Sequence, residues 1–202
     1  MGERVPAMNA TAPEAPDLPP LDAGSVIAAT VRWVEKAVIG LDLCPFARGV
    51  HTGGRIRYAV TAAANTDELI DVLVEELDLL AAAADAFETT LLIHPRVLGD
   101  FLDYNDFLDV ADAAVEQLGL TGEVQVASFH PRYQFAGTEP DDIENFTNRS
   151  PYPTLHLLRE ASIERAVAAY PDTDRIFEKN IETLRRLGRA GWDQLGLTAP
   201  DA

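Results

Sequence analysis

The sequence has little cysteine and little positive charge, and each shortage excludes a class of protein. Cys44 is the only cysteine among 202 residues, so the chain cannot form an internal disulfide or a cysteine-rich structural zinc site. Lysine and arginine number 16 against 33 aspartates and glutamates, and the formal net charge of -17 repels phosphate backbones and anionic lipid surfaces. We therefore expect neither a nucleic acid nor a membrane as a partner.

Long apolar runs are missing as well. No stretch approaches the ~20 apolar residues that a membrane-spanning helix needs. The N-terminus also lacks the charged-then-apolar pattern of a signal peptide. These two absences predict a cytoplasmic protein. The expected partner is a small-molecule ligand, for the reasons given below, and the sequence leaves the oligomeric state open.

Composition predicts one folded domain behind a tail. Residues 1–22 carry five prolines among small and acidic residues, a composition that buries too little apolar surface to offset chain entropy, so this segment is a predicted disordered tail. The whole chain is 47% hydrophobic, and its length favours a single core. We expect a single α/β domain at residues 23–202.

Apolar periodicity predicts strands that alternate with helices. Extended apolar patterns predict three strands, at 55–60, 89–93 and 124–129. Helical spacing predicts five helices, at 25–40, 66–84, 101–118, 153–170 and 173–187. The strand at 89–93 is the most continuously apolar and is the predicted central strand, whereas 55–60 alternates and is expected toward an edge.

This alternation of elements predicts the fold class. Strands separated by helices imply crossover connections, and therefore a small, mainly parallel sheet of three or four strands flanked by helices. A ferredoxin-like α+β sheet is the alternative.

Two of the predicted strands end in the same dipeptide. Residues 89–93 lead into His94-Pro95, and residues 124–129 lead into His130-Pro131. Open α/β sheets bind ligands at the carboxyl edge, where strands ~4.8 Å apart would bring two imidazoles together if the strands were neighbours. A histidine before a proline can instead cap a turn, which is the structural alternative.

The histidines suggest a metal centre. Zinc or iron at a catalytic site needs about three protein ligands, and His94, His130 and His156 can supply them if the helix predicted from Pro153 returns His156 to the same edge. Glu160, one turn further along, would orient His156 or act as an acid or base. Four aspartates are alternative ligands for non-haem iron: Asp100, Asp103, Asp141 and Asp142. This hypothesis predicts a metal-dependent hydrolase or oxidoreductase that acts on a small molecule.

Cys44 supports a second hypothesis, a cysteine-dependent enzyme. A catalytic thiolate needs an electropositive setting and a nearby base, and any of the four histidines can be that base. A lone cysteine between Leu43 and Pro45 is more often a small buried hydrophobe. His51, in a glycine-rich loop, is predicted to be a solvated surface residue.

Residues 131–153 support a third hypothesis, a binding protein without catalysis. The segment lacks periodicity and is rich in polar side chains, as binding loops often are. Its candidate substrate-binding residues are Tyr133, Gln134, Asn145, Asn148, Arg149 and Tyr152. Arg149 can pair bidentately with a carboxylate or phosphate, so the expected ligand is an anionic metabolite, and Arg149 is also a candidate catalytic residue. The alternative is that Arg149 and the loop acids neutralise one another at the surface.

Several longer motifs resemble a known family. They are Cys44-Pro45-Phe46, the segment from Thr90 to Pro95, Asp103 to Phe107, Phe129 to Gly137, and Asn148 to Pro153. Together they resemble a bacterial family catalogued as domain of unknown function fourteen-fifteen, over about residues 25 to 195. The resemblance implies no reaction, cofactor or catalytic residue, so the site hypotheses rest on residue chemistry.

Overall fold

The computed structural model describes residues 20–83, 86–168, 175–197 and 199. Nearly all of the predicted tail, the last residue of the helix predicted at 66–84, and the boundary predicted near Pro171 lie outside these residues. Within the described ranges, no helix combines the length and the apolar character needed to cross a membrane.

The described residues form a four-stranded mixed sheet with helices packed on both faces. The strands are β1 (Ile56–Val60), β2 (Thr89–Ile93), β3 (Val124–Phe129) and β4 (Thr154–Arg159). The helices are α1 (Ala23–Trp33), α2 (Ala47–Thr52), α3 (Thr66–Ala82), α4 (Phe101–Gln117), α5 (Glu160–Ala168) and α6 (Ile176–Gln194). Val34–Ile39 continues α1 as a π-helix, and Ile143–Asn148 forms a 3-10 helix.

Local sequence accounts for the elements that were predicted correctly. The Asn65 side chain caps α3 by accepting the backbone N–H of Glu68 at 2.9 Å, and the Glu68 carboxylate accepts the N–H of Ala64 at 2.8 Å. Asp100 caps α4 in the same way, through the N–H of Leu102 at 2.9 Å. The three predicted strands are confirmed, with β2 central and β1 at an edge.

The prediction of a mainly parallel sheet is wrong, because a fourth strand lies between β2 and β3. The strand order is β1-β2-β4-β3; β1 and β2 are parallel, and β4 is antiparallel to both β2 and β3. The helix predicted from Pro153 is also wrong over residues 154–159, which form β4. Leu155 and Leu157 are buried on one face and His156 points to the other, which is the alternation of a strand.

The ferredoxin-like alternative does not match this topology. That fold has the chain order β-α-β-β-α-β. Here the order of the sheet elements is β-α-β-α-β-β, and β1 and β2 form a parallel pair.

The two faces of the sheet have separate cores. Leu92, Leu155 and Leu157 pack with α3 and α4, on what we call the α3/α4 face. Leu91 and Ile93 pack with α1, its π-helical continuation and α6, on the α1/α6 face. Residues that are paired across strands share a face, so His156, which pairs with Leu91, also lies on the α1/α6 face.

Helix α6 changes direction at Gly188. The predicted last helix ends at this glycine, whose φ of 65° and ψ of 174° are not helical. The chain then turns helical again up to Gln194 and buries Trp192. The second part of α6 thereby returns to the carboxyl edge of the sheet.

Candidate functional site

His94 and His130 lie at the same edge of the sheet. Strands β2 and β3 both run antiparallel to β4, so both carboxyl ends reach one edge. The expectation that these strands are neighbours is wrong, because β4 separates them by two strand spacings, about 10 Å.

The ring of Tyr104, from α4, fills the space between the two imidazoles. Its centroid lies 5.8 Å from that of His94 and 5.0 Å from that of His130. The Tyr104 hydroxyl donates to the carbonyl oxygen of Thr154 at 2.8 Å and accepts the N–H of Phe129 at 3.1 Å, so it joins the end of β3 to the start of β4. We call His94, Tyr104 and His130, all fully buried, the histidine cluster.

Backbone groups use most of the hydrogen-bonding capacity of this cluster. His130 accepts the N–H of Arg132 at Nδ1, 3.0 Å away, and its Nε2 donates to the carbonyl oxygen of Leu98 at 3.1 Å. His94 donates from Nδ1 to the carbonyl oxygen of Val97 at 3.0 Å, and its buried Nε2 has no partner among the described residues. Burial lowers the pKa of each imidazole to about 4, so both are neutral near pH 7.

His156 and Glu160 do not join the histidine cluster. His156 lies in β4 and projects from the α1/α6 face, whereas the cluster packs on α4 against the opposite face. Glu160 begins α5 beyond the end of β4, at the other edge of the sheet. In the described part of the chain, no three His, Cys, Asp or Glu side chains are arranged to hold a metal ion. The metal hypothesis stays a prediction, with Nε2 of His94 as its open ligand atom.

The four aspartates proposed as alternative ligands are spread over several elements. Asp100 caps α4 and lies 3.3 Å from the Arg132 guanidinium. Asp103 is exposed in the first turn of α4. Asp142 accepts the backbone N–H of Glu139, and Asp141 is 97% exposed. These carboxylates therefore do not converge on His94.

A cleft at the carboxyl edge contains two arginines. Arg149, from the 131–153 loop, and Arg189, just after the bend of α6, lie over the same Phe146 ring, with guanidinium carbons 4.2 and 5.0 Å from its centroid. Both arginines line a cavity of about 390 Å³, together with Trp33, Ser150 and Trp192. We call this cavity the arginine cleft.

Most of the predicted binding residues brace the loop itself. The buried Asn145 amide accepts the N–H of Phe135 and the hydroxyl of Thr138, and donates to the carbonyl oxygen of Glu139. Asn148 donates to the carbonyl oxygen of Ser128. Of the six predicted binding residues, Arg149 is the one placed in the wall of the arginine cleft.

The other three predicted binding residues pack or bond within the fold. Gln134 donates to the carbonyl oxygen of Thr138. The ring of Tyr133 lies 5.1 Å from that of Phe101, and Tyr152 packs against the core of the α1/α6 face. They hold the loop against the body of the protein.

Cys44 lies in a mainly apolar setting. It lines a second cavity, on the α1/α6 face, to which His156 also contributes. Burial raises the pKa of the Cys44 thiol, which favours the neutral thiol over the thiolate that a nucleophile needs. The expectation for His51 is corrected as well: it is half-buried, and its Nε2 lies 3.3 Å from the Glu35 carboxylate.

Sequence reasoning missed Tyr104, Arg189 and Trp192. Tyr104 lies on the buried face of α4, and nothing local in the sequence indicates that its hydroxyl bonds to Thr154 and Phe129. A glycine inside an otherwise helical pattern, Gly188, was the available signal that α6 bends and brings Arg189 and Trp192 to the cleft.

No curated protein and no solved structure matches this chain. A family model does match, and it covers residues 25–194, which is most of the chain. This agrees with the resemblance carried by the motifs from Cys44 to Pro153. The chain belongs to the family described as protein of unknown function (DUF1415).

Proposed function

We propose that the protein binds a small anionic molecule, a carboxylate or a phosphate, in the arginine cleft. The observation that carries this proposal is the pair of guanidinium groups on one Phe146 ring at the wall of a cavity. Arginine is suited to this task because its planar fork binds carboxylate and phosphate oxygens in pairs.

The charges around Arg149 favour an anion. Burial lowers the pKa of Arg149, the nearby Arg189 lowers it further, and Asp141 opposes both effects. Within the described ranges, no carboxylate forms an ion pair with Arg149, while Arg189 pairs with Asp193 at 3.0 Å and lies 4.0 Å from Asp141. Asp193 also lines the cleft, so an anion bound there would supply the counter-charge that Arg149 lacks.

Arg149 is held in place before any ligand arrives. Its Nε donates to the carbonyl oxygen of Tyr133 at 3.2 Å, and an Nη donates to the carbonyl oxygen of Pro140. A guanidinium has five N–H groups, so others remain for a ligand. Because the side chain is already ordered, binding costs less conformational entropy than it would for a free arginine.

The walls of the cleft indicate the shape of the ligand. Trp33 and Trp192 supply aromatic surface, and Ser150 adds a hydroxyl. The ring of Trp192 packs edge-on against Phe146 at 5.1 Å, so the aromatic wall is continuous with the ring that holds the arginines. A compact anion with a flat or aliphatic body fits this combination.

The test uses citrate and inorganic phosphate as probes in calorimetric titrations of the full chain. Arg189→Gln should weaken binding by about tenfold, because an ionic hydrogen bond is lost. Arg186→Gln is the matched control, since Arg186 lies on the same helix, carries the same charge and is not part of the cleft wall. Equal affinities of the two variants, or no binding of either probe to the parent protein, would exclude the proposed site.

A further inference from the structure

A second cavity lies over β2 and β4 on the α1/α6 face. Its volume is about 390 Å³. The wall is aliphatic and aromatic for the most part and includes Val34, Val38, Leu91, Phe129, Leu158 and Ile163. Strands, α1 with its π-helical continuation, α2 and α5 all contribute to this wall. We call it the apolar cavity.

The π-helical segment shapes one side of this cavity. Val34 and Val38 belong to Val34–Ile39, and both line the cavity. π-Helical turns are rare and occur frequently at functional sites. A Cβ atom at Gly40 would lie 2.3 Å from the carbonyl oxygen of Lys36, so the end of this segment requires glycine. Gly40 therefore permits the close approach at the end of the irregular helix that borders the cavity.

His156 presents a hydrogen-bond acceptor in this apolar setting. Its Nε2 lies 2.7 Å from Oγ1 of Thr89, and that hydroxyl donates to the carbonyl oxygen of Leu157 at 2.6 Å. The Thr89 oxygen must therefore accept a hydrogen bond from Nε2–H, and Nδ1 of the neutral ring carries no hydrogen. Nδ1 makes no hydrogen bond to any described residue, and the His156 side chain is partly exposed and lines the cavity.

None of the described residues that line the cavity carries an unpaired charge. Burial lowers the pKa of His156 to about 4 and raises that of the Cys44 thiol, so both groups are neutral near pH 7. The Glu88 carboxylate is paired with Arg55 at 2.9 Å. A charged group brought into this space would lose its hydration without gaining a partner.

We propose that the apolar cavity binds a small, uncharged and mainly apolar molecule that donates one hydrogen bond to Nδ1 of His156. A surface depression of about 760 Å³ between α2 and α5 adjoins the cavity, because Phe46, Val50 and Ala166 line both spaces. This site is separate from the arginine cleft, and its ligand has the opposite character.

Three fluorescent probes with related aromatic bodies test the proposal. N-phenyl-1-naphthylamine is uncharged and has one N–H donor, 1-phenylnaphthalene has no donor, and 8-anilinonaphthalene-1-sulfonate adds a negative charge to the donor. The full chain should bind the first probe about fivefold more tightly than the second, which is the contribution of one neutral hydrogen bond. With the arginine cleft saturated with citrate, so that the sulfonate cannot bind there, the sulfonate should bind more weakly than the first probe. Tighter binding of the sulfonate, or equal binding of the first two probes, would overturn the proposal.

Substitutions in α5 locate the bound probe. Ala166→Phe places a phenyl ring in the cavity wall and should weaken N-phenyl-1-naphthylamine binding by more than tenfold. Ala168→Phe is the matched control, because Ala168 is exposed on the same helix and does not line the cavity. Similar binding by both variants would place the probe elsewhere and overturn the proposal.

His156→Phe tests the hydrogen bond separately from the apolar contacts. It should weaken binding of N-phenyl-1-naphthylamine about fivefold and leave that of 1-phenylnaphthalene within about twofold. An equal loss for both probes would show that His156 acts through packing alone, and the proposed hydrogen bond would be wrong. Citrate binding in the arginine cleft should be unchanged, so failure here and failure of the anion proposal are distinguishable.

Discussion

His130 and His156 both lie beside aromatic rings, and burial lowers the pKa of both to about 4, yet their ring nitrogens are used differently. Both nitrogens of His130 bond to backbone groups, and Tyr104 fills the space beside it. His156 uses Nε2 alone, and its ring borders a cavity. A histidine whose capacity is fully used supports the fold, whereas one that keeps an accessible acceptor can receive a ligand. His130 belongs to the first kind, whereas His94, at the other His-Pro ending, bonds through Nδ1 and keeps a buried Nε2 without a partner among the described residues.

Acid should have the largest effect on stability, because it protonates both the histidine cluster and His156 beside the apolar cavity. The folded pKa of about 4 for His94, His130 and His156 lies below the ordinary value of 6.5, so the unfolded state binds protons first as the pH falls. The contribution of these histidines to stability is complete well above pH 6.5 and is lost as the pH falls from about 6.5 towards 4, by up to about 3 kcal/mol for each histidine. Urea unfolding at a series of pH values measures this loss. Imidazole NMR titrations with midpoints near 6.5 in the folded protein would contradict it.

Tyr104→Ala should cause the next largest loss of stability, and it acts only in the histidine cluster. It removes a fully buried ring and two hydrogen bonds, which should lower the free energy of unfolding by about 4 kcal/mol. Leu102→Ala, in the same helix at a side chain that is 71% exposed, is the control and should cost less than about 1 kcal/mol. Denaturant unfolding compares the two, and losses of similar size would mean that the cluster is not tightly packed.

Replacing each histidine by leucine sharpens the comparison directly. His130→Leu leaves the N–H of Arg132 and the carbonyl oxygen of Leu98 without partners and should cost about 2–3 kcal/mol. His156→Leu should cost about 1 kcal/mol or less, because Thr89 can still donate to the carbonyl oxygen of Leu157. Equal losses of stability in urea unfolding would contradict the distinction between His130, with both ring nitrogens bonded, and His156, with one.

The smallest effect is expected for metal content, which should be the same in the His156→Leu variant and in the parent protein. His156 lies across the sheet from the histidine cluster, so its replacement should leave any bound zinc or iron unchanged. The metal hypothesis also predicts that His94→Ala and His130→Ala each lose that metal. Elemental analysis of the purified proteins decides both points. A parent protein without stoichiometric metal would end the hypothesis, and loss of metal in His156→Leu would contradict the separation of the two regions.

The sequence predicts those elements whose signal is local. Asn65 and Asp100 mark the starts of α3 and α4, and the apolar run at 89–93 identifies the central strand. Strand β4 was missed because His156 and Glu160 also fit helical spacing, and its strand partners are distant in sequence. Thr89 and Leu157, for example, are hydrogen-bonded although 68 residues apart.

The candidate site was predictable in part for the same reason. Arg149 follows from its residue type in an irregular polar segment, whereas Arg189 reaches the same ring only through the bend at Gly188. The common edge of His94 and His130 was expected from neighbouring parallel strands. It arises instead because both strands are antiparallel to β4. Residue chemistry can be read from the sequence, but the partners of each side chain depend on contacts made by the whole fold.

The place of β4 between two earlier strands has a consequence for protein synthesis. When β2 leaves the ribosome, the edge that will receive β4 is still unpaired, and Leu157 follows Thr89 only 68 residues later. At about 5–20 residues per second, this interval lasts roughly 3–14 s. During that time the nascent chain exposes an apolar strand edge to chaperones and to other chains. Slower translation of the segment before Thr154 should therefore lower the yield of correctly folded protein.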